Sequence, residues 1–201
     1  MTCLVKICGL KHIATVDAAI SAGADAVGFV FAKSPRQVTA RHAAFIAANV
    51  PAHVLRVAVM LHPSTEEWEE VQSIFCPDVL QTDADDFDQL DVPDDIKKWP
   101  VIREGSSPGL DDLPSTFVYE GKTSGQGQTV DWSTAHEIAE RAEMILGGGL
   151  SEDNVAEAIR QVRPYGVDVS SAVESSSGEK DADLIRAFIE TVRATPNPRT
   201  K

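Results

Sequence analysis

Residues 143–162, EMILGGGLSEDNVAEAIRQV, contain a short apolar run, three consecutive glycines and a polar start to an amphipathic segment. The apolar run is typical of a buried β-strand, and the glycines mark its end. Ser151 followed by Glu152 and Asp153 favours the start of a helix, because acidic side chains in a first turn offset unpaired backbone amides. The stretch therefore predicts a strand, a glycine loop and a helix in direct succession.

The same alternation of strand and helix runs along most of the chain. Apolar runs bounded by glycine, proline or polar clusters predict eight strands, at residues 4–8, 26–31, 55–61, 78–82, 100–103, 116–120, 143–147 and 166–170. Helical periodicity predicts helices at residues 15–21, 40–48, 64–74, 134–141, 152–162 and 182–194. Between residues 83 and 115 the sequence leaves room only for short or broken helices.

Eight strands alternating with helices over 201 residues fit a compact (β/α)8 TIM barrel of the α/β class. An open doubly wound sheet gives the same alternation. We expect the barrel, as a single domain over residues 1–201 with a frayed tail at 195–201. In both folds ligands bind at the carboxyl ends of the strands, so we expect the functional residues there.

The bulk composition excludes several classes of protein. The chain has 18 Lys and Arg against 31 Asp and Glu, a net charge of -13, which opposes binding to nucleic acid or to anionic membranes. It has no apolar run long enough for a membrane span and no signal-peptide pattern, so we predict a cytoplasmic protein. The three cysteines cannot all pair, and no Cys/His spacing indicates a metal, so we expect reduced thiols and no metal site.

Two neighbouring strand ends predict a phosphate site. Gly148 and Gly149 precede a helix, so backbone N–H groups and the positive end of the helix dipole can meet an anion. A tight turn that needs positive φ is the alternative. Ser170 and Ser171 follow the eighth strand and can add hydroxyls and amides, although they can equally cap the strand. Alternation places Asp168 on the face of Ser170, so Asp168 can take a ligand hydroxyl beside a phosphate, as a phosphosugar requires.

The first predicted strand carries an ammonium and a thiol on one face. In VKIC, residues 5–8, Lys6 and Cys8 are two apart and therefore point the same way. A thiol acts as a base only as thiolate, and a neighbouring cation favours that form. The alternative is that Cys8 is a small buried apolar side chain, but lysine is rarely buried without a partner. Cys3 and Cys76 have no such neighbour, and we expect them to be small buried side chains.

Five segments, in order along nearly the whole chain, resemble the phosphoribosylanthranilate isomerase family of tryptophan biosynthesis: VKICGLK, GADAVGFVFAKSPRQVT, SGQGQTVDW, LGGGLSEDNVAEAI and YGVDVSSAVE. The resemblance implies a (β/α)8 barrel that needs no cofactor and catalyses an Amadori rearrangement. In this reaction N-(5-phosphoribosyl)anthranilate becomes 1-(2-carboxyphenylamino)-1-deoxyribulose 5-phosphate.

The resemblance also implies roles for individual residues. Cys8 in KICG matches the general base, and Arg36 in SPR matches the ligand of the anthranilate carboxylate. Lys6 and Asp168 are expected to contact the substrate as well. The expected partner is thus a small-molecule phosphosugar, with no nucleic acid or membrane, and the protein is expected to be a monomer or a homodimer.

The proposed acid is where the sequence departs from the family. An aspartate is common at the end of strand six, and Glu120 in FVYEGKTSGQG stands in its place here. Glutamate performs the same acid chemistry but reaches one methylene farther. Asp131 is a rival for the role, yet it fits better as the cap of the next helix. Two further departures are LQTDADD where the family often has QLHG, and Ala172 where it has glycine.

Two other functions remain open from the sequence. The aminoaldose isomerase of histidine biosynthesis has a similar fold and reaction but typically uses an aspartate where Cys8 stands, so Cys8 argues against it. A phosphosugar-binding protein without catalysis would explain the change to Glu120, but the presence of Lys6, Cys8 and Arg36 argues against it.

Overall fold

Eight parallel strands close into a barrel in a computed structural model that describes residues 3–106, 113–122 and 129–199. The strands follow one another in chain order, and the eighth pairs with the first. They are β1 (Leu4–Cys8), β2 (Ala26–Val30), β3 (Leu55–Val59), β4 (Val79–Asp83), β5 (Lys97–Arg103), β6 (Thr116–Glu120), β7 (Glu143–Leu146) and β8 (Gly166–Val169). The closed barrel confirms the predicted fold class and excludes the open sheet.

The six predicted helices are all present, and none of their ends differs from the prediction by more than two residues. They are α1 (Ile13–Ala22), α2 (Ala40–Ile46), α3 (Thr65–Phe75), α4 (Trp132–Ala139), α5 (Glu152–Val162) and α6 (Ala182–Ala194). Helix α4 begins earlier than predicted because Asp131 caps it, its Oδ1 accepting from the backbone N–H groups of Ser133 and Thr134 at 2.8 and 3.1 Å.

Within the part of the chain that the structure describes, two connections depart from the simple alternation of strand and helix. Between β4 and β5 the chain forms a 3-10 helix at Ala84–Asp88, in agreement with the prediction of a short helix there. After β8 it forms a second 3-10 helix, Ser171–Val173, and a hairpin of β9 (Glu174–Ser176) with β10 (Glu179–Lys180), which the sequence did not predict. Residues 107–112 and 123–128, the second of which contains the whole of SGQGQ (residues 124–128), lie outside the described residues.

Alternation along each strand divides the buried side chains into two layers. On β1, Val5 and Ile7 pack outward in the layer between strands and helices, whereas Lys6 and Cys8 lie on the inner face, as predicted. An apolar layer fills the barrel interior, made up of Ala26, Val57, Val79, Trp99, Val101, Val118 and Ile145. This packed layer leaves the space for a ligand at the carboxyl ends of the strands.

The C-terminal tail contacts the barrel as far as it is described. Asn197 Nδ2 donates to the carbonyl of Pro164 at 2.8 Å, and Arg199 donates to the carbonyls of Ala139 and Ala142 at 2.9 and 3.0 Å. These bonds hold Asn197 and Arg199 against the barrel, and the fraying expected for 195–201 stays a prediction. Among the described residues, no helix is long and apolar enough to cross a membrane.

The two cysteines outside the predicted site differ in exposure. Cys3 is buried, as expected. Cys76 is exposed, contrary to expectation, because it ends α3 in the left-handed conformation with φ 51° and its side chain faces solvent.

Candidate active site

A cavity of about 390 Å³ opens at the carboxyl ends of the strands. Apolar side chains from β2, β3 and β5 form part of its wall. The predicted site residues that line it are Cys8, Arg36, Glu120, Gly148, Gly149, Asp168, Ser170 and Ser171. The fold thus brings together eight residues from five separate strand ends or the loops that follow them.

Lys6 lies below the cavity. Its side chain is fully buried, and its Nζ donates to Asp168 Oδ2 at 2.8 Å. Burial alone would lower the pKa of Lys6, but the Asp168 carboxylate and the Cys8 sulfur hold it above its usual value. Gly28 on β2 makes room for the side chains of Lys6 and Cys8, because a Cβ there would lie 3.2 Å from both Cys8 Sγ and Lys6 Cε. Lys6 is therefore placed to act through Cys8 and Asp168.

The two oxygens of the Asp168 carboxylate differ in their hydrogen bonds. Oδ2 binds Lys6, whereas Oδ1 is buried and has no hydrogen-bond partner among the described residues. A buried acceptor without a donor is costly, and a ligand hydroxyl would satisfy it. The contact between Asp168 and a sugar hydroxyl stays a prediction.

Cys8 combines deep burial with a cationic neighbourhood. Burial raises the pKa of its thiol and the Asp168 charge adds to the rise, while Lys6 and Lys180 lower it. Burial outweighs the cations, so the thiol pKa lies above its usual value. Lys6 was expected to increase the thiolate fraction of Cys8. It lowers the thiol pKa, but the opposite effect of burial is larger.

Arg36 is held at the cavity wall by a buried carboxylate. Its Nε and Nη2 donate to the two oxygens of Glu174 at 2.6 and 3.0 Å. Glu174 in turn accepts from Lys180 Nζ at 2.6 Å. Because an arginine has five N–H donors, this pairing leaves three for a ligand.

The glycine loop has the geometry of an anion site. Gly148 and Gly149 adopt φ of 83° and 62°, which favour glycine. Asn154 Nδ2 donates to the carbonyl of Gly149 at 2.9 Å, and Asn154 Oδ1 accepts from the backbone N–H of Ser151 at 2.8 Å. These bonds fix the loop at the N-terminus of α5, where backbone N–H groups and the helix dipole favour negative charge.

The Ser170 hydroxyl is engaged within the protein. Its Oγ donates to the carbonyl of Cys8 at 3.2 Å and accepts from Lys180 Nζ at 3.3 Å. Ser170 thus ties the end of β8 to the end of β1. Ser171, by contrast, is exposed at the cavity rim.

Glu120 ends β6 beside an arginine that the sequence analysis missed. Arg103 on β5 donates from Nη1 to Glu120 Oε1 and from Nη2 to Asp83 Oδ1, both at 2.6 Å. Asp83 ends β4, and all three side chains line the cavity. The signal in the sequence was an arginine at the carboxyl end of a predicted strand. Asp131, the rival acid, does not line the cavity but caps α4.

No group of three His, Cys, Asp or Glu side chains converges to hold a metal ion within residues 3–106, 113–122 and 129–199. The cavity instead offers a thiol, three carboxylates and two arginines around a glycine loop. Such a set can bind an anionic sugar derivative and move protons on it.

Comparison with known proteins shows which family this chain resembles. The family model described as N-(5'-phosphoribosyl)anthranilate isomerase matches residues 5–191. This chain belongs to that family.

Curated members of the family are similar over nearly their whole length. The N-(5'-phosphoribosyl)anthranilate isomerase of Listeria monocytogenes serotype 4b is 39% identical over 204 residues, covering 94% of this chain and 98% of the relative. That of Streptococcus pneumoniae is 40% identical over 193 residues, covering 94% and 95%.

Solved structures agree with the sequence relatives. The phosphoribosylanthranilate isomerase of Thermotoga maritima superposes with a TM-score of 0.79 at 31% identity, covering 95% of this chain and 98% of that one. A phosphoribosylanthranilate isomerase in complex with reduced 1-(o-carboxyphenylamino)-1-deoxyribulose 5-phosphate superposes with a TM-score of 0.78 at 29% identity, over 95% and 98%.

Proposed function

We propose that the protein isomerises N-(5-phosphoribosyl)anthranilate to 1-(2-carboxyphenylamino)-1-deoxyribulose 5-phosphate in tryptophan biosynthesis. The observation that carries the proposal is the meeting of Cys8, Glu120, Arg36 and the Gly148–Gly149 loop in one cavity. Family membership supports it, as does the relative crystallised with a reduced form of the product.

The substrate carries a phosphate, a carboxylate and sugar hydroxyls, and the cavity has a candidate partner for each. The phosphate fits the loop at the start of α5 because of its backbone N–H groups. The carboxylate fits the three N–H donors of Arg36 that Glu174 does not use. A hydroxyl fits Asp168 Oδ1.

The first proposed step opens the ribose ring. Glu120, as the carboxylic acid, donates a proton to the ring oxygen while the bond between that oxygen and C1 breaks. The electron pair of the anthranilate nitrogen forms the C1–N double bond of a protonated Schiff base. Glu120 lies at the end of β6 and lines the cavity, where it can reach the sugar.

The second proposed step moves a proton away from C2. Cys8 as thiolate takes the C2 proton, and the electrons of that bond form a C1–C2 double bond while the C–N double bond becomes single. The resulting enaminol gains a proton at C1 from the Cys8 thiol and loses its C2 hydroxyl proton to the Glu120 carboxylate, which gives the ketone and restores both residues. Atoms and charge balance over the whole reaction, so no cofactor is required by the chemistry.

An assay of purified protein with freshly made N-(5-phosphoribosyl)anthranilate, following the loss of substrate fluorescence, tests the proposal. We expect turnover that saturates with substrate. Absence of turnover by folded protein would rule out the proposed function.

A further inference from the structure

Lys180 on β10 is a buried cation outside the motifs that identified the site. Its side chain is 1% exposed. Its Nζ donates to Glu174 Oε1 at 2.6 Å, to the carbonyl of Ser170 at 2.9 Å and to Ser170 Oγ at 3.3 Å. An ammonium has three donors, so these contacts use its full capacity. Lys180 is therefore fixed in place by two residues, each of which contacts a different part of the proposed site.

The first connection runs from Lys180 to Arg36. Glu174 Oε1 accepts from both Lys180 Nζ and Arg36 Nε, and Glu174 Oε2 accepts from Arg36 Nη2 at 3.0 Å. Burial works to raise the pKa of Glu174, but bonds from Arg36 and Lys180 outweigh it and lower the pKa to about 2. The carboxylate thus stays charged and orients the guanidinium, which keeps its remaining N–H groups for a ligand.

The second connection runs from Lys180 to Cys8. Ser170 Oγ, which accepts from Lys180, donates to the carbonyl of Cys8 at 3.2 Å. The charge of Lys180 also lowers the pKa of the Cys8 thiol, against the larger effect of burial. The groups that face the thiol include Lys6 on its own strand, Asp168 on β8 and Lys180 on β10.

The hairpin that carries Lys180 packs directly on the loop that carries Arg36. Gly178 has φ 80°, and a Cβ there would lie 2.5 Å from the carbonyl oxygen of Pro35. The Gly178 N–H donates to Glu174 Oε2 at 3.0 Å. The turn, the loop and the buried ion pair therefore form one packed unit.

We propose that Lys180 is a positioning residue that sets Arg36 through Glu174 and Cys8 through Ser170. The inference rests on the proposed function, because it takes Arg36 and Cys8 to act on the substrate. Its consequence is that one buried side chain, which does not line the cavity, controls both substrate binding and the ionisation of the base.

The experiment compares Lys180→Met with a matched control, Lys11→Met. Lys11 also contacts the hairpin and the loop before Arg36, binding Glu179 Oε1 at 2.7 Å and the carbonyl of Pro35 at 3.2 Å, but from the surface side. Loss of hairpin docking alone would affect both variants. Three quantities are measured: kcat, KM and the pH midpoint for alkylation of Cys8 by iodoacetamide. Alkylation uses a Cys76→Ser background, because Cys76 is exposed.

Lys180→Met is expected to raise KM and to lower kcat, each by about tenfold or more, as small displacements of reacting groups do. It is also expected to move the alkylation midpoint of Cys8 to higher pH, because a cation that favours thiolate is gone. Lys11→Met is expected to stay within about twofold of the parent protein in all three quantities. Glu174→Gln is expected to raise KM without moving the alkylation midpoint.

Two results would overturn the proposal: Lys180→Met with an unmoved alkylation midpoint or an unchanged KM, or Lys11→Met with the same changes as Lys180→Met. If Lys180→Met does not fold by circular dichroism, Lys180→Gln replaces it under the same criteria. The alkylation measurement needs no substrate, so it also separates this proposal from the proposed function. A parent protein without turnover rejects the function, whereas an unmoved alkylation midpoint rejects the role of Lys180.

Discussion

Arg103 and Glu120 lie side by side on neighbouring strands, joined by a bond of 2.6 Å from Nη1 to Oε1. The same guanidinium binds Asp83 on β4 at 2.6 Å. A guanidinium favours the ionised form of a neighbouring carboxyl group. The proposed ring opening, however, needs a proton on Glu120. If Glu120 is the acid, Asp83 offsets this effect, because Arg103 keeps a charged partner when Glu120 is protonated.

Asp83→Asn removes the negative charge of the second carboxylate that Arg103 binds. Arg103 would then favour ionised Glu120 more strongly, and an ionised carboxylate cannot donate a proton. We expect kcat to fall by about tenfold or more, on the scale of a general acid contribution, with KM little changed. Steady-state kinetics measure both constants. An unchanged kcat would show that Asp83 does not influence the acid.

Replacements of Glu120 test the acid itself. Glu120→Gln keeps the size of the side chain but has no carboxyl proton, so we expect kcat to fall by about 10²-fold or more while substrate binding survives. Glu120→Asp is expected to retain partial activity, because the carboxyl group stays but lies about 1.5 Å short. Kinetics of both variants provide the measurement.

Asp131→Asn is the control for Glu120. Asp131 caps α4, so its replacement affects a helix end rather than the cavity, and asparagine is itself a good cap. We expect normal kcat. If Asp131→Asn were inactive and Glu120→Gln active, the acid assignment would pass to Asp131.

The sequence was sufficient for the barrel because each strand is a short apolar run with a clear boundary. Val5 and Ile7 opposite Lys6 and Cys8 show how alternation predicted the inner face of β1. The hairpin after β8 could not be predicted, since its strands have three and two residues and no apolar pattern.

The site was only partly predictable for a related physical reason. Cys8, Arg36 and the glycine loop belong to contiguous motifs. Arg103, Glu174 and Lys180 matter through contacts between residues far apart in sequence, such as Arg36 with Glu174. Cys76 was misjudged because its exposure depends on the left-handed end of α3 rather than on its residue type.

Cys8→Ala removes the proposed base. We expect kcat to fall by about 10²–10⁴-fold, with stability and binding of a product analogue nearly unchanged. Because burial holds the thiol pKa above its usual value, the rate at which iodoacetamide alkylates Cys8 is also expected to rise with pH from neutral values toward that pKa, as the thiolate fraction grows. A near-normal kcat for Cys8→Ala would make Cys8 structural.

Arg36→Met removes the proposed ligand of the carboxylate. Such a ligand binds substrate and transition state alike, so its loss should raise KM more than it lowers kcat. Methionine keeps the apolar stem but leaves Glu174 with Lys180 as its cation. Initial rates at a series of substrate concentrations measure KM and kcat. An unchanged KM would remove Arg36 from the substrate site.

The lowered pKa of Glu174 indicates how the stability of the fold should depend on pH. Contacts with Arg36 and Lys180 lower its pKa from an ordinary 4.5 to about 2 despite burial. A carboxyl group with a depressed pKa in the folded state stabilises the protein above its unfolded pKa, and this contribution is lost as the pH falls through the folded pKa. We therefore expect this stabilisation to be lost between pH 4.5 and about 2. Urea unfolding at several pH values measures the loss.

Glu174→Gln should be less stable than the parent near neutral pH, because Arg36 and Lys180 lose their charged partner. The difference in stability between the two proteins should narrow as the pH falls. Glu157→Gln is the matched control, since Glu157 pairs with Arg160 on the exposed face of α5 and surface pairs contribute little. Its stability should follow the parent at every pH. A difference between parent and Glu174→Gln that stays constant from pH 5 to pH 2.5 would show that the charge of Glu174 does not stabilise the fold.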